Sequence, residues 1–196
     1  MTPPRKPQLQ MILRPSPTHR EPDVLDQAVP DGYCLRIYRD DDAKSYLRLM
    51  NRAGFEDWDE SSVAQALAKS LPNGIFFVEQ AETGRPVATA AAFHAPTDLH
   101  PFGGELGWVA THPDHRGRGL ARMVCAAAVD RLVRAEYERI YLITDEWRLP
   151  AIKIYLGLGF VPFLFAPEMK ERWRAVCREL DWPFTPREWP AVSASD

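Results

Sequence analysis

Cysteine is scarce in this sequence, and the patterns that would give it a structural role are missing. Cys34, Cys125 and Cys177 are widely spaced and form neither a Cys-x-x-Cys pair nor a Cys/His metal pattern. This argues against a disulfide framework and against structural zinc. His112 and His115 have no further ligands at metal spacing and are expected to shape a turn or face solvent. We therefore expect no metal and a reducing, cytoplasmic location.

Long apolar runs and an excess of basic charge are also absent. No run of about 18 apolar residues occurs, and the proline-broken N-terminus lacks the apolar segment of a signal peptide. The formal net charge is -3, so we expect no membrane insertion and no nucleic-acid partner. A local RNA contact through Arg116, Arg118 and Arg122 would need several phosphate contacts, and the overall acidity argues against it.

The composition fits one globular domain with tails. Hydrophobic residues make up 45% of the 196 residues, enough for one sizeable core. Residues 1–30 hold seven of the 18 prolines, which favours an extended or poorly ordered arm over a packed element. We expect the domain to span residues 31–182, including a C-terminal helix, and residues 183–196 to form a tail.

The periodicity of apolar residues predicts alternating strands and helices, and hence an α/β fold. A strand at 33–38 precedes two helices, the first capped within the acidic run 40–42 and the second started by a Ser62/Gln65 capping box and ending near Leu71. The remaining predicted elements are a hairpin of strands 75–79 and 86–93, a strand at 105–111, a helix from Gly117, a strand at 140–144, a helix at 148–158, a strand at 160–165 and a helix at 167–180.

A glycine-bearing turn joins the strand at 105–111 to the following helix, whose buried face is predicted to carry Leu120, Val124, Ala128 and Leu132. The turn reads Arg116-Gly117-Arg118-Gly119-Leu120-Ala121. At a helix start the first backbone N–H groups lack intrahelical partners and the dipole is positive, so phosphate oxygens bind there readily. A solvated basic turn is the alternative, and neither a dinucleotide-binding fingerprint nor a Walker loop is present.

The segment Arg116 to Ala121 resembles the Arg/Gln-x-x-Gly-x-Gly/Ala pyrophosphate loop of the GNAT superfamily of N-acetyltransferases. The predicted element order over about residues 33–165 is similar to the order in that family. The resemblance implies a mixed, mostly antiparallel sheet flanked by helices, with two splayed central parallel strands that hold acetyl-CoA. It also implies transfer of an acetyl group to an amine by direct attack.

The resemblance assigns the cofactor contacts. The strand before the loop would hydrogen-bond the pantetheine arm through its backbone, and the loop and helix start would hold the pyrophosphate. The cofactor-binding residues expected on this basis are Val109, Ala110, Thr111, Arg116, Gly117, Arg118, Gly119, Leu120, Ala121 and Arg122.

A second segment resembles the end of the GNAT domain, where a helix tyrosine precedes a Leu-Gly-Phe turn. Here Tyr155 precedes Leu158-Gly159-Phe160, and it occupies the family position of the acid that protonates the leaving CoA thiolate. A core tyrosine is the alternative. Many family members carry Asn where this chain has Arg148, so an Asn contact to CoA does not carry over. Arg148 is expected to be solvated or to meet a phosphate or an acidic substrate.

Glu105 is the best candidate for the base that takes the proton of the attacking amine. Some GNAT enzymes use an acidic residue on this strand directly or through water, and the alternative is an ordinary strand-end carboxylate. Asp145, after the next strand, is the reserve candidate.

Phe55, Trp58 and Asp59 are the candidate acceptor pocket. An aromatic and acidic cluster suits a cationic amine, whereas the alternative has both rings filling the gap between two helices. The acceptor itself stays open among small amines, amino acids, aminoglycosides and protein N-termini.

Two predictions remain open at this stage. The apolar face of the C-terminal helix, with Trp173, Val176, Cys177 and Leu180, would pack on the domain or on another subunit, which would make a homodimer. A non-catalytic acyl-CoA sensor or interaction module is the competing function, and the missing Asn at position 148 allows it.

Overall fold

The computed structural model describes residues 6–15 and 29–189, and the chain divides into two compact units. The larger unit is Pro15–Ile140, and the smaller unit combines Met1–Arg14 with Tyr141–Asp196. Of the predicted N-terminal arm, residues 1–5 and 16–28 lie outside the described residues, as do residues 190–196 of the predicted tail.

The larger unit contains seven of the named elements: β2 (Tyr33–Ile37), α1 (Ala43–Ala53), α2 (Glu60–Lys69), β3 (Ser70–Gln80), β4 (Arg85–His94), β5 (Gly104–Thr111) and α3 (Leu120–Arg134). Its strands form an antiparallel sheet in the order β2-β3-β4-β5, which the helices cover. The predicted hairpin is confirmed, and both of its strands are longer than the sequence indicates.

Alternation along the strands gives the sheet two buried faces. On one face, Phe77, Ala91 and Phe93 pack in one core cluster with side chains of α1 and α2. The residues between them are buried too, and α3 packs on β3, β4 and β5. The predicted stripe on α3 is confirmed, because its four members are all buried: Leu120, Val124, Ala128 and Leu132.

α2 begins three residues earlier than the sequence indicates. Its N-cap is Asp59, whose carboxylate accepts hydrogen bonds from the Ser62 backbone N–H at 2.8 Å and from the Ser62 hydroxyl at 2.9 Å. The predicted capping box of Ser62 and Gln65 is therefore wrong, because Ser62 is the third residue of the helix rather than its cap. The helix also ends at Lys69, and Leu71 already belongs to β3.

The start of α1 is fixed by an ion-pair network rather than by a side-chain cap. Arg36 of β2 donates to both carboxylate oxygens of Asp42, at 2.6 and 2.8 Å, and also to Glu79 of β3. Burial acts to raise the pKa of Asp42, but the bonds from Arg36 and from the Arg39 backbone N–H outweigh it and lower that pKa. Asp42 thus occupies the N-cap position, within the predicted acidic run, but its carboxylate bonds Arg36 of β2 instead of capping the helix.

The smaller unit contains three strands and two helices: β1 (Leu9–Leu13), β6 (Ile140–Thr144), α4 (Leu149–Gly157), β7 (Val161–Pro162) and α5 (Met169–Glu179). β1 lies between β6 and β7 and pairs antiparallel with β7, Met11 opposite Pro162. The expectation of an unpacked arm is wrong for this segment, since four of its five side chains are buried. The last strand is much shorter than the predicted 160–165.

The C-terminal segment of the smaller unit is also partly packed. Trp173, Val176 and Cys177 of α5 are buried, so this helix face is covered by the chain itself and needs no second subunit to cover it. Beyond α5, the Arg187 backbone N–H donates to the Pro162 carbonyl at 3.0 Å, and the Trp189 ring lies 6.2 Å from Phe163. Within the described ranges, no helix has the length and apolarity needed to cross a membrane.

Candidate active site

The loop between β5 and α3 has the backbone that the motif predicts. One 3-10 turn, Pro113–His115, follows β5, and the Arg116 N–H closes it on the Pro113 carbonyl. Gly117 and Gly119 then adopt φ values of 76° and 77°, in the left-handed region that glycine enters without steric cost. A Cβ on either residue would meet nothing within 4 Å, so glycine is needed here for its backbone conformation and not for space.

The N-terminus of α3 is open for an anion. Gly119 is its N-cap and no side chain caps it, so the first backbone N–H groups of the helix have no intrahelical acceptor. The helix runs for 15 residues, and its dipole places partial positive charge at this end. Buried Leu120 anchors the first turn in the core. The arrangement suits a pyrophosphate, whose oxygens accept several N–H bonds at once.

Three exposed arginines surround this helix start: Arg116, Arg118 and Arg122. Arg116 reaches back to the C-terminal end of α1, where its Nη2 lies 3.5 Å from the Ala53 carbonyl oxygen. Arg118 is close enough to His115 to act on its pKa. The positions fit the predicted phosphate contacts, and the role of each guanidinium stays a prediction.

His112 and His115 hold the turn that leads into the loop. The Asp114 backbone N–H donates to the His112 ring at 3.3 Å, and the Tyr33 hydroxyl lies 2.9 Å from His115 Nδ1. Desolvation, together with the charges of His112 and Arg118, lowers the pKa of His115. The described residues contain no group of three or more His, Cys, Asp or Glu placed to hold a metal. The Tyr33 contact links β2 to the loop and was not predicted.

If the loop holds acetyl-CoA as the sequence predicts, Tyr33→Phe should weaken that binding by roughly 2- to 10-fold, because one hydrogen bond of about 0.5–1.5 kcal/mol that positions the turn is lost. Isothermal titration with acetyl-CoA measures the change. Tyr38→Phe is the matched control, since Tyr38 follows the same strand but packs on Tyr46 and Phe77. Equal affinities for the two variants would contradict a positioning role for Tyr33.

β5 carries a bulge in the middle of the strand. Gly107 pairs with Ala91 and Ala110 with Thr89, so two residues, Trp108 and Val109, stand opposite one residue of β4. Trp108 has a φ of 49°, which is unusual for an aromatic residue. A bulge leaves backbone groups outside the ladder and redirects the strand. The bulge includes Val109, the first of the predicted pantetheine contacts, and lies immediately before the other two, Ala110 and Thr111.

Glu105 lies on the same strand, opposite Phe93 and on the face that α1 and α2 cover. Its Oε1 is 3.6 Å from the position that a Cβ on Gly107 would occupy, so the carboxylate lies beside bare backbone. Burial raises the pKa of Glu105, and the charge of Lys69 partly opposes this. A carboxylate whose pKa is raised toward neutrality is better matched to proton abstraction than a solvated one.

The three acceptor-pocket candidates have packing or capping contacts. The Trp108 ring meets the Phe55 ring at 5.8 Å and the Trp58 ring at 4.9 Å, both edge to face. Trp58 is buried and also packs on Tyr46, whereas Asp59 caps α2. These aromatic residues adjoin the bulge through Trp108, which is 38% exposed. Their role toward an acceptor stays a prediction.

Tyr155 belongs to the smaller unit and lies on α4, a helix with proline in its first turn. Its side chain is 6% exposed and packs edge to face on Phe160, whose backbone N–H donates to the Tyr155 carbonyl at 3.1 Å. The Leu-Gly-Phe turn therefore closes directly on the tyrosine. This geometry is compatible with both predictions for Tyr155: that it protonates the leaving thiolate, and that it is only a core residue.

Asp145, the reserve base, is engaged by neighbours. Gln8 Nε2 donates to its Oδ1 at 3.0 Å, and Arg148 Nε donates to its Oδ2 at 3.3 Å. The Arg148 guanidinium also lies 4.4 Å from the centre of the Trp147 ring. Both carboxylate oxygens are therefore already hydrogen-bonded within the chain, which leaves Glu105 as the better-placed base candidate.

Comparison with known proteins identifies the family. Residues 33–160 match the Acetyltransferase (GNAT) family, and the chain belongs to it. A mycothiol acetyltransferase of Nocardia farcinica is 29% identical over 152 residues, covering 72% of this chain and 49% of that protein. One from Thermomonospora curvata is 30% identical over 166 residues, covering 80% of this chain and 51% of that protein. The chain thus spans about half the length of these curated relatives.

Solved structures show the same α/β fold. A GCN5-related N-acetyltransferase from Sphaerobacter thermophilus superposes with a TM-score of 0.59 at 16% identity, over 80% of this chain and 49% of that one. The ribosomal-protein-S18-alanine N-acetyltransferase of Escherichia coli superposes with a TM-score of 0.53 at 22% identity, over 65% of this chain and 76% of that one. At such identities the likeness establishes the fold, and the GNAT fold predicted from the sequence is confirmed.

Proposed function

We propose that this chain transfers the acetyl group of acetyl-CoA to a primary amine by direct attack. The observation that carries the proposal is the uncapped N-terminus of α3, preceded by two left-handed glycines, in a chain of the GNAT family. The donor supplies an activated thioester. The backbone N–H groups of the loop and of the first helical turn hold its pyrophosphate, and backbone groups of Val109, Ala110 and Thr111 bind the pantetheine arm.

The chemistry assigned to this chain's residues is proton transfer on both sides of the displacement. Glu105, directly or through a water, takes one proton from the cationic amine, and the neutral nitrogen then bonds to the acetyl carbon. The C–S bond breaks as Tyr155 gives its phenolic proton to the departing sulfur, and the second proton lost by the nitrogen restores the phenol. The products are the acetylated amine and CoA.

The acceptor is proposed to bind beside the exposed edge of Trp108, with Phe55, Trp58 and Asp59 around it. Aromatic faces attract a cationic amine, and the carboxylate that must deprotonate it lies on the same strand as Trp108. The acceptor of mycothiol acetyltransferases belongs in any test, because the relatives above carry that name.

A release assay tests the proposal. Acetyl-CoA is incubated with the protein and a panel containing small amines, amino acids, aminoglycosides, peptides and the acceptor of mycothiol acetyltransferases, and free CoA is measured. We expect amine-dependent release with at least one class. Tight acetyl-CoA binding without release from any amine would favour the acyl-CoA sensor, and a failure to bind acetyl-CoA would refute both.

Tyr155→Phe is expected to lower kcat roughly 10-fold without changing acetyl-CoA affinity. The effect is smaller than that of most general acids, because a thiolate with a pKa of about 8.5 is already a stable leaving group. Steady-state kinetics and isothermal titration separate the two quantities. Tyr137→Phe, which removes a hydroxyl bonded to His94 at 2.8 Å, is the control. A weaker acetyl-CoA affinity with unchanged kcat would instead indicate a structural Tyr155.

A further inference from the structure

A cavity of about 670 Å³ lies in the larger unit, beside the loop described above. Its walls come from α1, from the turn end of the β3 and β4 hairpin, and from the turn after β5. Five of its lining residues are basic or can become so: Arg48, Arg52, Arg85, His112 and His115. We call it the arginine cavity. None of the residues from Arg116 to Arg122 lines it.

The arginine cavity concentrates positive charge in a chain whose formal net charge is -3. Within the described part of the chain, Arg48, Arg52 and Arg85 form no ion pair, and Arg48 bonds only the Ser45 hydroxyl, at 3.0 Å. One lining residue, Asp114, is a carboxylate, and its side chain is 83% exposed. Arg48, Arg52 and Arg85 are exposed and line one space without an ion-pair partner among the described residues, so an anion bound there could accept charge-assisted hydrogen bonds from them.

The remaining lining residues indicate what kind of anion fits. Ser45 and Gln80 add a hydroxyl and an amide as further donors, whereas Leu49, Pro86 and Val87 supply an apolar wall. Guanidinium groups pair with phosphate oxygens through two parallel N–H bonds. A volume of this size is typical of sites for small organic ligands. The combination suits a phosphate group carried on a small organic body.

We propose that the arginine cavity is a second ligand site, which binds a phosphorylated small molecule separately from acetyl-CoA. Its lining ends at His115 and the proposed cofactor loop begins at Arg116, so the two sites adjoin, and the experiment below distinguishes them. Arg48 and Arg52 hold the phosphate from α1, and Arg85 holds it from the hairpin. The apolar wall receives the organic part of the ligand.

Calorimetric titration with inorganic pyrophosphate as the probe tests the site. The protein is first saturated with CoA, so that the N-terminus of α3 is occupied and does not contribute to the signal. We expect one further binding event, weakened roughly 10-fold by Arg48→Ala and by Arg85→Ala, since each removes charge-assisted hydrogen bonds. Arg178→Ala, an exposed arginine of α5, is the matched control and should leave pyrophosphate binding unchanged.

Two results would overturn the proposal. One is the absence of pyrophosphate binding to the CoA-saturated protein, or binding that Arg48→Ala and Arg85→Ala leave unchanged. The other is a loss of affinity in these variants for CoA but not for dephospho-CoA, which would show that the cavity receives the 3′-phosphate of the cofactor itself.

A further arm keeps this inference separate from the proposed function. Pyrophosphate is titrated without CoA into the Gly119→Val variant, whose cofactor loop is altered. Pyrophosphate binding that persists in Gly119→Val and is lost when Arg48→Ala is added to it supports the arginine cavity, even if no acetyl transfer is found. Binding lost in Gly119→Val alone would assign the probe to the helix N-terminus and overturn the inference. Thermal melts of each variant check that it is folded at the temperature of the titration.

Discussion

Glu105→Gln is expected to lower kcat/KM roughly 10²- to 10⁴-fold, the usual effect of removing a general base. Glutamine keeps the size of the side chain and its position beside Gly107, but it cannot take a proton from the amine. Acetyl-CoA affinity should be unchanged, because the proposed cofactor contacts lie on other residues. Steady-state kinetics with the acceptor found in the release assay, together with calorimetric titration, measure both effects.

The same substitution is expected to stabilise the fold at neutral pH. Burial raises the pKa of Glu105 above its unfolded value, so between the two pKa values the folded state binds more protons than the unfolded state. The free energy of unfolding therefore falls as pH rises through this interval. Glutamine is neutral throughout and avoids the loss. Melting temperatures at pH 7 should favour the variant, and its advantage should vanish below the unfolded pKa of about 4.3.

Lys69→Ala provides the control for the identity of the base. The positive charge of Lys69 lowers the pKa of Glu105, so its removal should shift the acidic limb of the kcat/KM profile to higher pH. Lys170→Ala, an exposed lysine of α5, should leave the profile in place. Full activity of Glu105→Gln, or an acidic limb indifferent to Lys69, would show that another group is the base.

Gly119→Val is expected to weaken acetyl-CoA binding by about 10- to 100-fold. A β-branched residue resists a φ of 77°, at a cost of about 1–3 kcal/mol. The free loop of the variant relaxes out of this conformation, and binding must force it back, which reduces the apparent affinity. Calorimetric titration measures the dissociation constant, and 1.4 kcal/mol corresponds to about tenfold.

Gly84→Val separates strain at the loop from strain in general. Gly84 has a φ of 63°, a Cβ there would also meet nothing within 4 Å, and it lies in the β3 and β4 hairpin. Both variants should lose stability by similar amounts, and only Gly119→Val should lose acetyl-CoA affinity. An unchanged affinity in Gly119→Val would mean that the phosphates bind elsewhere.

The loop and α3 were predictable from sequence because everything that determines them is local. The left-handed positions need glycine, the helix follows at once, and the spacing of Leu120, Val124, Ala128 and Leu132 fixes the buried face without reference to the rest of the chain. Short-range signals of this kind are the strongest that a single sequence contains.

β1 and the bulge were missed because both depend on distant partners. The Leu9–Leu13 segment pairs with a strand about 150 residues later, and the surrounding prolines obscured its apolar pattern. The bulge at Trp108 exists only relative to the register of β4, and no residue in β5 specifies that register alone.

The structural roles of two acidic residues could not be predicted, because their partners are ambiguous in the sequence. Asp42 pairs with Arg36 instead of capping α1, and Asp59 caps α2. Short acidic side chains serve caps, ion pairs and ligands equally well. Which use applies depends on neighbours that the sequence does not reveal.

The placement of the cysteines has a practical consequence for assays of this chain. Cys125 and Cys177 are buried and Cys34 is exposed, and burial raises the pKa of both buried thiols. Because the thiolate is the reactive form, a thiol reagent that detects released CoA meets one accessible protein thiol in the folded chain and three after unfolding. The background of such an assay is therefore constant while the fold is intact, and its growth reports denaturation in the same cuvette.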